Sequence, residues 1–163
     1  MSRRDGHKAR SAARLGAVQT LFQMELSEQG VDEAIRDFLD HRSGAEIDGA
    51  QYAEADARMF ESVVRGAVEH QVAIDGALDK CLPEEWPLFR LDSILRAILR
   101  ASAFEILMRR DIPARVVINE YVDVARAFFD GAEASMANGV MDRLARVARP
   151  QEFDAKPAAD GAG

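Results

Sequence analysis

The chain has 163 residues, 48% of them apolar, which is the size and make-up of one domain folded round one hydrophobic core. Glycine (11), proline (5) and aromatic residues (7%) are few beside abundant Ala, Leu, Arg and Glu, so the expected fold class is all-α. The net charge is −7, no run of about 18 apolar residues is present, the N-terminus is charged, and the single Cys81 has no Cys or His at metal-ligand spacing; these features exclude a disulfide scaffold, a membrane-spanning helix and a zinc site, and predict a cytoplasmic protein without cofactor or membrane partner.

Residues 1–7 (MSRRDGH) lack an apolar anchor and are expected to form a mobile basic arm. From Lys8, a stripe of Ala13, Ala17, Leu21 and Met24, with Val18 and Phe22 beside it, predicts a first helix over about Lys8–Leu26. Gly30 separates it from a short helix, about Val31–Asp40, with Ala34, Ile35, Phe38 and Leu39 on one face, and Ser43–Gly49 reads as a loop. Phe60, Val63, Val64, Ala67, Val68, Ile74 and Leu78 predict one long helix over about Gln51–Leu78, ended by Pro83.

After a Pro83–Pro87 corner, Leu91, Ile94, Leu95, Ile98, Leu99, Ala103, Ile106 and Leu107 wrap most of a circumference, the pattern of a central core helix. Asp92 with Arg96, and Glu105 with Arg109, are spaced four apart as surface pairs. Pro113 suits a helix's first turn, Val117, Tyr121, Val124 and Phe128 mark its buried face, and Gly131 closes it. A last helix, about Ala132–Ala148, buries Met136, Val140, Leu144 and Val147. It continues through Asn138-Gly139, because no alternating strands flank that dipeptide. The helical domain is thus expected over 8–150, with 151–163 a disordered polar tail.

No phosphate-cradling glycine loop or metal-binding His pair occurs, His7, His41 and His70 read as solvated, and Glu84-Glu85 reads as a helix start, so an enzyme is not expected. Charge is segregated: residues 1–14 hold five cations against Asp5, a net +4, which leaves −11 for the remainder. Lys8, Arg10 and Arg14 predict a cationic ridge able to grip phosphates, extended by Arg3 and Arg4; a solvated helix start accounts for these residues about equally well, although cations there oppose the helix dipole. Of the other arginines, most read as ordinary surface charge, and Arg115 beside Pro113 is the least easily dismissed. Phe22 and Phe128 border their apolar stripes, with core packing the plainer reading. Phe129 cannot share the face of Phe128, which points to one of that pair being exposed.

Taken in order, Ala13–Leu26 (ARLGAVQTLFQMEL), Arg96–Leu107 (RAILRASAFEIL), Asp111–Phe129 (DIPARVVINEYVDVARAFF) and Ala137–Pro150 (ANGVMDRLARVARP) strongly resemble the NusB family of bacterial antitermination factors, over about Lys8–Pro150. The resemblance implies a bundle of about seven helices in two lobes. It also implies pairing with the ribosomal protein NusE, joint binding of boxA RNA on nascent ribosomal RNA, and support of antitermination by RNA polymerase with other Nus factors. It places RNA contacts on Lys8, Arg10, Arg14 and Arg115, and partner contacts on Phe22, Glu105 and Phe128. Ala114, Ser135 and Met136 depart from the usual tyrosine, lysine and phenylalanine, which implies weaker or redistributed RNA contacts.

A helical protein with so few aromatics reads bases poorly alone, so sequence choice is expected to need the partner's added surface, with the acidic remainder repelling nonspecific polyanions. Two alternatives stay open from the residues: a protein-only helical adaptor or weak homodimer that binds no RNA, and the NusB-like domain of ribosomal RNA methyltransferases, for whose catalytic α/β domain 163 residues leave no room.

Overall fold

The computed structural model of the chain describes residues 3–41, 46–47, 50–51 and 56–154. Within them are seven α-helices: α1 (Arg3–Ser27), α2 (Val31–His41), α3 (Ala57–Glu69), α4 (Gln71–Cys81), α5 (Ser93–Met108), α6 (Ala114–Phe128) and α7 (Gly131–Ala148). Two-residue strands pair antiparallel, β1 (Glu46–Ile47) inside the stretch read as a loop and β2 (Ala50–Gln51) just after it, where the long helix was expected to begin, and single 3₁₀ turns lie at Leu88–Arg90 and Pro150–Glu152. The all-α expectation holds. The tail beyond Asp154 lies outside the described residues.

Helix α5 is the hub: it packs against α1 and α3 on one flank and α4, α6 and α7 on the other, while α2 packs on α1 and α3. Its sequence explains this placement, since Leu95, Ile98, Leu99, Ala103 and Ile106 are all buried and leave no polar face to solvate. The Asp92 carboxylate starts the helix by accepting from the Ile94 and Leu95 amides at 2.7 and 3.4 Å, so it caps α5 and does not pair with Arg96. Arg96 turns the other way, to Glu25 of α1 at 2.7 Å and to the carbonyl of Leu91 at 2.7 Å. The second expected surface pair also dissolves, because Glu105 is buried and Arg109 meets Asp111 at 3.1 Å.

The expected single helix over Gln51–Leu78 is two. The break falls at His70 (φ −105°, ψ 20°), whose amide still bonds to Gly66 and whose carbonyl still serves Ile74. Apolar periodicity runs straight through the break, and the cause is tertiary: both helices pack on α5, but α3 also packs on α1 and α2 whereas α4 also packs on α7, so the chain must bend between them. Helix α1 begins at Arg3, five residues before the start at Lys8 that the sequence led one to expect, so Arg3–His7 are helical rather than a mobile arm. Val147, read as core, is 77% exposed on α7.

Two glycines permit close packing, Gly16 of α1 against α2 and Gly66 of α3 against α5. A Cβ on Gly16 would overlap the ring of Phe38, which is stacked on Phe60 at 4.3 Å, and a Cβ on Gly66 would overlap the buried ring of Phe104. Gly66→Ala is therefore expected to destabilise by roughly 1–3 kcal/mol despite alanine's better helix propensity, an effect checked by urea denaturation.

Candidate nucleic-acid interface

The exposed cations of α1 fall into two rows. Residues two apart on a helix point about 200° from each other, so Lys8 and Arg10 cannot share a face. Arg4 and Lys8, four apart, make one row, and Arg3 and Arg10, seven apart, make the other. Lys8, Arg10 and Arg115 are exposed and form no ion pair among the described residues.

Arg14 is not part of this surface, which corrects the expectation of a Lys8–Arg10–Arg14 ridge. It is 2% exposed and grips Glu105 of α5 with two bonds of 3.0 Å each, while its third nitrogen lies 3.5 Å from Glu120 of α6. The Tyr121 hydroxyl donates to the same Glu105 carboxylate, and the guanidinium lies 6.0 Å from the Tyr121 ring centre. Burial opposes the charge on Arg14, but the bond and field of Glu105, aided by Tyr121 and Glu120, hold its pKa above the ordinary arginine value. Burial and then the Glu105 charge push the Tyr121 phenol well above its usual range, so it remains a donor. Glu105 is fully buried, so it cannot touch a partner protein directly. The signal was present in the sequence: Arg14 lies between Ala13 and Ala17, and Glu105 lies among α5's apolar residues. A cation and an acid each set inside an apolar stripe are natural mutual counter-ions.

The seam between α1 and α6 orders the remaining residues. His7, Ser11 and Arg14 on α1 all meet Glu120, at 3.9, 2.7 and 3.5 Å, whereas Val18 and Phe22, further along α1, share a cleft with Phe128, further along α6. The two helices thus run parallel, with Arg115 on the first turn of α6 at the end where α1 carries Lys8. At the other end, Val18, Gln19, Phe22, Gln23, Ile94 and Phe128 line an open cleft of about 220 Å³. Phe22 and Phe128 are therefore brought together, and Phe128, expected on a buried face, is 38% exposed while Phe129 packs on the core.

Sequence reasoning missed Arg149. Its side chain is wholly buried and donates to the carbonyls of Glu105, Ile106, Arg109 and Ile112 at 2.6–2.9 Å and to the Glu152 carboxylate at 3.0 Å. It closes the C-terminal end of α5 and braces the corner that leads to Arg115. Glu152 also accepts from the Ala114 amide at 2.9 Å, and that bond, followed by its contact with Arg149, holds its carboxyl below the ordinary range. Of the three departures, Ala114 is fully buried where a larger ring would need new space, Ser135 is exposed, and Met136 packs half-buried on the core.

Comparison with known proteins adds the context. The model of the NusB family matches residues 11–146. A protein of Maricaulis maris (strain MCS10) named transcription antitermination protein NusB is 52% identical over 146 residues, 90% of this chain and 91% of that one. Its namesake in Brucella abortus (strain S19) is 48% identical over 148 residues, 91% and 86% of the two chains. Among solved structures, T. maritima NusB superposes with a TM-score of 0.73 at 27% identity, covering 88% of this chain and 96% of that chain. A chain from a structure of antitermination factors NusB and NusE in complex with double-stranded RNA gives a TM-score of 0.71 at 22% identity, covering 90% and 99%.

Proposed function

The chain belongs to the NusB family, and from that premise we propose that it is an RNA-binding antitermination factor. With the ribosomal protein NusE it binds boxA RNA of nascent ribosomal RNA transcripts in the cytoplasm, and through other Nus factors it supports antitermination by RNA polymerase. One observation carries the RNA-binding part: exposed cations on the first turns of α1 and of α6, at one end of a parallel seam in an otherwise acidic molecule. These rows attract phosphate at long range and set the protein's register on the strand, while base choice falls to unstacked bases read jointly with the partner. A protein of this fold has been solved with NusE and double-stranded RNA, and the two ends of the α1–α6 seam here offer separate chemistry to such a pair.

Lys8, Arg10 and Arg115 are the RNA contacts in this reading, and Arg14 supports them from inside. A salt series on boxA binding tests it: each single-strand phosphate contact contributes a slope of about −0.7 in log affinity against log salt, so Lys8→Ala with Arg10→Ala should flatten the slope by about 1.4. An unchanged slope rejects the reading.

Phe22 and Phe128 are the partner anchors, because aromatic side chains in a shared apolar cleft concentrate binding energy. Phe22→Ala with Phe128→Ala should weaken NusE binding by roughly 2–4 kcal/mol, measured by calorimetry, and should abolish the discrimination between boxA and scrambled RNA that NusE adds. Thermal stability should change far less than NusE binding, since Phe128 is partly exposed.

A further inference from the structure

The segment Asp111–Phe129 carries a carboxylate, Glu120, for which the RNA reading has no use. Glu120 sits on α6, is 14% exposed, and receives three residues of α1 that lie on one line: His7 at 3.9 Å, Ser11 at 2.7 Å and Arg14 at 3.5 Å. These are spaced four and three apart, so a single side chain fastens two turns of α1 to α6. The fastening matters because the start of α1 is intrinsically unfavourable: Arg3, Arg4 and Lys8 crowd the positive end of the helix dipole, and the apolar stripe begins only at Ala13. Within residues 3–11 the single acid is Asp5 in the first turn, whereas Glu120 reaches across from α6 to hold the second and third turns.

We infer that Glu120 is a positioning residue for RNA binding: its carboxylate orders the first turns of α1 so that the Arg4–Lys8 and Arg3–Arg10 rows meet phosphate in a fixed register, an inference that rests on the RNA-binding reading above. The sign of its effect separates it from a bystander. A bystander acid beside a phosphate site repels RNA, so its removal strengthens binding. A positioning acid does the reverse, because apparent affinity falls with the fraction of molecules whose binding element is formed.

The test uses the full chain and a boxA oligonucleotide, with Glu120→Ala and Glu120→Gln compared by fluorescence anisotropy and by amide hydrogen exchange. Both variants remove the same charge, but glutamine keeps an acceptor for Ser11. Glu120→Ala should speed exchange at residues 5–11 by about tenfold, leave the α5 amides unchanged, and lower RNA affinity by about tenfold, with Glu120→Gln recovering a large part of both. Equal gains in affinity for the two variants, or unchanged exchange at residues 5–11, would overturn the inference. RNA affinity that responds to Lys8→Ala with Arg10→Ala but not to Glu120→Ala sinks the positioning role alone, whereas indifference to both sinks the RNA reading and the inference with it.

Discussion

Arg14→Met should lower folding stability by about 3–5 kcal/mol, a large part of the roughly 5–15 kcal/mol that holds a typical domain together. The loss comes less from a missing attraction than from what stays behind. Glu105 is fully buried, and among the described residues the Tyr121 hydroxyl is the one donor left to its two oxygens once the guanidinium is gone. A carboxylate in that position must either remain charged without a partner or take up a proton, and both are costly. The paired replacement Arg14→Met with Glu105→Leu should recover most of the loss, since a buried ion pair costs nearly as much to desolvate as it returns in attraction. Urea denaturation of the two single variants and the double variant closes a thermodynamic cycle; a coupling energy near zero would show that the two side chains act independently. RNA binding by the folded double variant should keep the wild-type salt slope, because Arg14 does not reach the surface.

The second large effect is expected at Arg149. Arg149→Met strips a donor from four carbonyls and from Glu152 at once, where the guanidinium itself is wholly buried, and should cost about 3–5 kcal/mol. Arg149→Lys should recover only a minority of that, since an ammonium is a point charge whose three donors cannot span carbonyls spread from Glu105 to Ile112. The damage has a direction. The bonds of Arg149 hold the C-terminal turn of α5 and the corner before Pro113, so hydrogen exchange should quicken at residues 105–113 before it does in α1. If exchange instead rises uniformly along the chain, Arg149 contributes only to global stability and does not brace the first turn of α6, where Arg115 stands.

The two arginines share a lesson about local reading. Arg14 and Arg149 carry the same side chain as the exposed Arg10 and Arg115, and composition cannot tell them apart. Position on the helix wheel separates Arg14, which shares a stripe with Ala13 and Ala17; the partner that makes its burial tolerable is 91 residues away in sequence. Arg149 follows α7 in a position that reads as an ordinary cation at a helix end, a favourable placement in its own right. Its reach to α5 depends on how α7 crosses the end of that helix, which no local pattern encodes.

By itself the sequence determined the helical class, the central place of α5, the passage of α7 through Asn138-Gly139, and the separation of a basic start from an acidic remainder. All of these follow from periodicity, propensity and charge along a stretch of neighbouring residues. Tertiary structure alone decided that α3 and α4 part at His70, that the α1–α6 seam runs between Lys8 and Arg10, which acid faces Arg14, and that Phe22 meets Phe128. The physical reason is common to these outcomes. A buried charge or a bend is settled by what lies opposite it in space, and these opposing groups come from helices far apart in the chain.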